Sequence, residues 1–160
     1  MTNETAQIRP IRNSAKAVIV KDGHVLLTRN RDGQGDFYLF PGGGQEHGEE
    51  LRDAVVRECI EETGLPVAVG DLLHVREYIG RNHEFAEWDG DVHQVEFYFA
   101  CTAETDGPEP VMNGDLPDPN QTGVEWVPLE RLPDIRLYPA RLGDKLARSL
   151  ALPCYLGDTN

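Results

Sequence analysis

Two β-type runs open the chain. Ala15-Lys-Ala-Val-Ile-Val and His24-Val-Leu-Leu-Thr-Arg flank Lys21-Asp22-Gly23, and Asp-Gly is a favoured tight turn, so residues 14–29 are predicted to form a hairpin. A glycine-rich segment, 33–48, follows and is interrupted only by Phe37-Tyr-Leu-Phe. From Glu49 to Thr63 the period changes: Leu51, Ala54, Val55 and Cys59 recur at near-helical spacing, and Gly64 then Pro66 mark the stop. Residues 71–79 and 92–101 return to strand character, the second alternating His93, Val95, Phe97 and Phe99 with Gln94, Glu96 and Tyr98. A polar loop, 80–91, separates them. A Pro-, Gly- and Asp-rich stretch, 105–121, reads as a long surface loop. Val124-Glu-Trp-Val is a short strand, and residues 139–150 form a closing helix with Leu142, Leu146 and Leu150 on one face. Strands alternating with two such helices predict an α/β fold, a mixed β-sheet between helices in an α/β/α sandwich.

The chain has 160 residues, enough for one core and too few for two. Residues 1–13 read as a lead-in segment, 14–152 as a single domain and 153–160 as a C-terminal tail. The apolar runs are strand-sized, so no membrane span is expected, and the N-terminal residues carry no secretory pattern, which makes the cytoplasm the expected location. Cys59, Cys101 and Cys154 are odd in number and far apart, matching neither a disulfide framework nor a zinc pattern.

Charge changes this picture most. With 28 acidic against 15 basic residues the formal charge is −13, which argues against a basic face for a nucleic-acid polymer. An anionic substrate would need compensating positive charge, and a divalent metal is the most economical source.

The acidic helix is where such a metal would sit. Glu58, Glu61 and Glu62 stand at i, i+3 and i+4, so their carboxylates share one side of the helix. A like-charge i,i+4 pair costs a few tenths of a kcal/mol, and the helix dipole disfavours negative charge in the last turns by a further ~0.3–1 kcal/mol. A helix serving structure alone would place Lys or Arg there. Three hard oxygen donors instead suit Mg²⁺ or Mn²⁺. Arg57 can bridge Asp53 and Glu61, whereas Glu58 and Glu62 have no basic residue at i±3 or i±4 and are the stronger metal candidates. In front of the helix, Pro41-Gly42-Gly43-Gly44 can bring backbone amides or carbonyls close to a metal or a phosphate.

Gly43-x5-Glu49-x7-Arg57-Glu58-Cys59-Ile60-Glu61-Glu62-Thr63-Gly64-Leu65 resembles the signature of the Nudix hydrolases, G-x5-E-x7-R-E-U-x-E-E-x-G-U with U a bulky apolar residue. Cys59 departs from it by filling a U site with a smaller side chain. The hairpin and Phe40-Pro41-Gly42-Gly43 also look like that family, so the likeness spans residues 14 to about 150.

The resemblance implies a MutT-like pyrophosphohydrolase in which water attacks a phosphorus of a nucleoside diphosphate derivative. By position, Glu58 and Glu62 would hold Mg²⁺, or Mn²⁺ as a substitute. Glu61 would be a further ligand or a base toward water, the Gly43 carbonyl a backbone ligand, and Arg57, supported by Glu49, would orient the carboxylates. Gly42 and Gly44 would border the substrate, and Arg29 and Arg31 could reach a phosphate. In many relatives the base comes from a later loop, and Glu84, Glu87, Asp89, Asp91, Asp115 and Asp118 are candidates, each by default a solvated charge. His93 reads as a sheet histidine. Among Phe37, Tyr38, Trp88 and Tyr98, Trp88 alone sits in an acidic loop, where stacking on a base is the better reading. The implied partner is a nucleotide-like small molecule. Many relatives dimerise, so a homodimer stays open. Two alternatives also stand: a nucleotide-binding regulator without turnover, and a hydrolase of ADP-ribose or sugar nucleotides.

Overall fold

The computed structural model describes residues 8–104 and 115–160. The first seven residues of the expected lead-in and most of the expected loop at 105–121 lie outside them. The hairpin forms from β1 (Arg12–Lys21) and β2 (His24–Asp32). Its turn residues Asp22 and Gly23 have φ of 50° and 75°, left-handed at both centres as this turn requires. Within the glycine-rich segment lie β3 (Gly35–Leu39) and a short β4 (Gly42–Gly44), followed by helix α1 (Leu51–Thr63). Gly64 ends α1 in the left-handed conformation, its N–H bonding the Ile60 carbonyl at 2.9 Å.

The long strands β5 (Val67–Ile79) and β6 (His93–Ala103) are antiparallel to each other. The loop between them holds a 3-10 turn, Gly80–Asn82, and the short helix α2 (Ala86–Asp89). Then come β7 (Gln121–Pro128), β8 (Leu137–Tyr138), α3 (Ala140–Arg148) and β9 (Tyr155–Asp158). The strand order is β8-β3-β2-β1-β6-β5-β9, with β4 also on β1 and β7 also on β2. The sheet is mixed, because β1 runs parallel to β6 and β5 parallel to β9.

Alternation along the strands sorts the core into two layers. Ala15, Ala17, Ile19, Leu26, Phe99 and Cys101 pack with Ala54, Val55 and Cys59 of α1. Val18, Val25, Leu27 and Tyr98 face the other way, onto Leu132, Leu137 and Leu142 beside α3. The two helices therefore cover opposite faces, as the α/β/α expectation requires. Cys59 is fully buried in the α1 layer, so the smaller side chain at that position is accommodated by packing.

Three expectations are corrected. Residues 153–160 are not a tail, since β9 joins the sheet and buries Leu156. The lead-in ends earlier than residue 13, because β1 begins at Arg12. Leu150 does not share the buried face of α3: the helix stops at Arg148, Ser149 turns left-handed, and Leu150 is 45% exposed.

Candidate active site

The glycine strand and the acidic helix meet edge to face. Gly42, Gly43 and Gly44 pair with Lys16, Ala15 and Ser14 of β1, which lays the glycine backbone across the side of α1. A side chain at Gly42 would overlap the Ala15 carbonyl, and its φ of 143° is closed to other residues. At Gly43 the obstruction is the site itself: a Cβ there would lie 2.6–2.7 Å from the carboxyl atoms of Glu58. The glycines thus let a carboxylate press against the main chain.

Arg57 organises the acids around it. Its Nε and Nη2 donate to both oxygens of Glu49 at 2.9 Å, its Nη1 donates to Glu58 at 3.0 Å and Glu61 at 3.2 Å, and its Nη2 donates to the Gly44 carbonyl at 3.0 Å. The fork of donors matches this bidentate geometry. Glu49 is held down to about 2 by the bond from Arg57 and by the Glu46 amide. Two expectations change here. Arg57 reaches Glu49 rather than Asp53, and Glu58 is not free of a basic partner, because the guanidinium of its own neighbour folds back onto it.

Glu62 lies beneath this network. Its side chain is buried, and its Oε2 accepts the Gly42 amide at 3.0 Å. Burial pushes its carboxyl up to about 8; Lys16 and the Gly42 amide oppose the shift, while the charges of Asp118 and Glu58 add to it. Burial likewise raises Glu58 against the opposing pull of Arg57.

Among the described residues no group of three His, Cys, Asp or Glu side chains already converges as a metal cage. The donor set nevertheless fits a hard divalent cation. Burial disfavours the charged form of both Glu58 and Glu62, so a bound cation would favour their ionisation, and both flank a glycine backbone whose carbonyls can approach an ion.

The raised Glu62 gives a stability prediction for metal-free protein. An unfolded glutamate titrates near ~4.3, so between there and about 8 the folded state holds a proton that the unfolded state has released. Stability should therefore fall as pH rises through this window. Thermal melts in chelator from pH 5 to 8.5 should show Glu62→Gln gaining on the native chain as pH rises. Parallel pH profiles for the two proteins would contradict this.

Glu58, Gly43 and Gly44 form one side of a cavity of about 870 Å³. Arg12, Lys16, Asp118 and Asn120 also border it near the acids, and Phe37, Phe85, Trp88 and Tyr138 supply an aromatic side. The Lys16 Nζ donates to the Gly42 carbonyl at 3.4 Å. Sequence reasoning passed over Arg12 and Lys16. A single lysine inside the apolar run Ala15–Ile19 was the available signal for the second.

Arg29 and Arg31 are not among the residues bordering the cavity. Arg29 is paired with Glu125 at 2.6 Å and Arg31 with Asp36 at 2.9 Å, so the structure ties both to neighbouring strands and does not bring them to the acids. Of the candidate bases, Asp118 faces the cavity and raises both Glu58 and Glu62 by its charge. Asp89 also borders the cavity but accepts the Tyr78 hydroxyl at 2.8 Å. Asp91 pairs with Arg9, His93 with Glu77, and Glu84 accepts from Asn160; Glu87 and Asp115 are exposed. Tyr98 is core, edge-on to Phe40 at 5.6 Å, and Tyr38 bonds Glu125.

Comparison with known proteins agrees with this geometry. The NUDIX domain model matches residues 10–147. A CTP pyrophosphohydrolase of Escherichia coli (strain K12) is 30% identical over 112 residues, 63% of this chain and 83% of that protein. An ADP-ribose pyrophosphatase of Methanocaldococcus jannaschii is 47% identical over 60 residues, 36% of this chain and 35% of that one. The crystal structure of a MutT NUDIX hydrolase from Burkholderia pseudomallei superposes with a TM-score of 0.64 at 27% identity, covering 84% of this chain and 95% of that chain. A carboxylate-rich helix behind a glycine strand on an α/β/α scaffold defines the class, a hydrolase acting on diphosphate linkages. The chain belongs to the Nudix hydrolase family. No helix among the described residues is long and apolar enough to cross a membrane.

Proposed function

We propose that this chain cleaves the diphosphate linkage of a nucleoside di- or triphosphate derivative, using Mg²⁺, with Mn²⁺ as a substitute, in the cytoplasm. The observation that carries the proposal is the pair of carboxylates, half-buried Glu58 against Gly43 and buried Glu62 against Gly42, with Glu58 and Gly43 bordering a cavity that aromatic side chains also line. Glu58 and Glu62 would hold the ion, with the Gly43 carbonyl and Glu61 as further ligands. When bound, the ion offsets phosphate charge and makes water a better nucleophile near neutral pH.

The chain's own residues supply the rest. Arg57 and Glu49 fix the orientation of Glu58 and Glu61. Lys16 and Arg12 bring positive charge to the phosphate side, where Gly43 and Gly44 shape the wall; Gly42, expected to border the substrate, is buried behind them. Asp118, a loop acid that borders the cavity, would accept a proton from the attacking water. The aromatic side offers ring faces to a nucleobase. The E. coli and M. jannaschii relatives, named for CTP and ADP-ribose, support a nucleotide-like substrate and leave both nucleoside triphosphates and sugar-type derivatives in scope. Neither a nucleic-acid polymer nor a membrane is a partner in this reading.

A product-resolved screen of nucleotides, sugar nucleotides, dinucleoside polyphosphates and coenzyme A, run with Mg²⁺ and Mn²⁺, tests it. Metal-dependent release of phosphate, pyrophosphate or a nucleoside monophosphate is expected. Tight nucleotide binding with no turnover in either metal would replace the proposal with the regulator alternative.

A further inference from the structure

We propose that the C-terminal strand β9, acting through the carboxylate of Asp158, is the clamp that positions the loop forming the aromatic side of the substrate cavity. β9 lies outside the residues matched by the NUDIX domain model, which end at 147. The Asp158 side chain accepts three hydrogen bonds from the segment leaving β5: the Ile79 amide at 2.9 Å, Asn82 Nδ2 at 2.9 Å and His83 Nε2 at 2.6 Å. Two neighbours reinforce it. Arg76 Nη1 donates to the Thr159 carbonyl at 2.5 Å, and Asn160 Nδ2 donates to Glu84 at 3.4 Å. Burial opposes ionisation of Asp158, yet the bonds from Asn82, His83 and Ile79 hold its carboxyl below the usual range.

The contacts continue inward. The His83 ring stacks on Tyr78 with centroids 5.5 Å apart and planes 15° apart, and the Tyr78 hydroxyl donates to Asp89. Asp89 is the last residue of α2, and this loop brings Phe85, Trp88 and Asp89 to the cavity. Little apolar contact holds the loop: α2 has four residues, none of them buried, Trp88 is 80% exposed, and Phe85 meets Tyr138 edge-on at 5.7 Å. A helix that short has no stability of its own, so its place depends chiefly on polar ties, three of which end on Asp158.

The inference rests on the reading that the aromatic side contacts the nucleoside part of the substrate. A loosened wall would have to be ordered at each binding event, whereas the acidic helix, packed on the other elements, would be unaffected. Asp158→Ala should raise KM for the best nucleotide substrate by about tenfold, the worth of one or two charge-assisted hydrogen bonds, with kcat within about twofold. Inorganic triphosphate, which has no base to contact the wall, should show an unchanged KM if it is turned over.

Hydrogen exchange in the intact 160-residue chain reads the clamp without any substrate. Asp158→Ala should speed exchange across residues 79–91 while α1 keeps its native protection. Asp158→Asn, which retains an acceptor oxygen, should restore part of the protection and of KM; His83→Ala provides a second route to the same loosening should Asp158→Ala fold poorly. Unchanged exchange at 79–91 in both Asp158→Ala and His83→Ala would overturn the clamp, whatever the substrate. Faster exchange with an unchanged nucleotide KM would overturn its role in binding. A native chain inactive on every nucleotide would instead count against the proposed function, with the exchange result still deciding the clamp.

Discussion

Glu62→Gln is expected to lower kcat/KM on a diphosphate substrate by about 10²–10³-fold, the usual cost of removing one group that stabilises charge in the transition state. The amide is nearly the same shape and can still accept the Gly42 N–H, so the local fold should persist. What disappears is a negative charge that burial already makes costly, as the rise of the carboxyl to about 8 shows. Activity and stability should therefore move in opposite directions, with the variant inactive yet at least as stable near pH 8. Steady-state assays paired with melts check both halves. Full activity would remove Glu62 from the metal site.

Arg57→Ala should have the second largest effect, lowering kcat/KM by about 10–100-fold, as loss of residues that orient metal ligands does. It should also cost roughly 2 kcal/mol of stability, because the side chain is three-quarters buried and its loss leaves Glu49, Glu58 and Glu61 facing one another without their shared cation. Arg57→Lys keeps the charge but not the fork, so it cannot hold both Glu49 oxygens and the Gly44 carbonyl together. It should recover part of the stability and little of the activity. Denaturant titration and kinetics on the same preparations separate the two outcomes. If Lys restores full activity, charge alone is the function of Arg57 and the geometric account of it fails.

The acidic helix was legible in the sequence because it violates what a helix prefers. Like charges at i,i+4 and acids at the C-terminal end are locally unfavourable, and residues kept against local preference point to chemistry. The two helices and most strands were legible from periodicity and turn residues such as Asp22-Gly23 and Gly64. The cavity was not. Lys16 and Arg12 come from β1, Phe85 and Trp88 from the β5–β6 loop, Tyr138 from β8 and Asp118 from the segment before β7, and no local pattern joins positions so far apart. Arg29 misled for the same reason: its partner Glu125 lies across the β2–β7 pairing. β9 escaped because four residues, Tyr155-Leu-Gly-Asp, carry too little alternation, and the parallel partner β5 is distant in the chain. The interpretation of the overall charge shifts as well. Seven acids between Gly42 and Glu62 against Arg52 and Arg57 are a local demand for a cation, not a barrier to an anionic substrate.

That demand can be measured directly. Mn²⁺ titrated into the native chain and followed by electron paramagnetic resonance should bind in competition with Mg²⁺. Binding should weaken at least tenfold in both Glu58→Gln and Glu62→Gln and be unchanged in Asp91→Asn, an exposed acid paired with Arg9 on the surface. Equal Mn²⁺ affinity in the native chain and both glutamine variants would contradict the assignment of the metal to these two carboxylates.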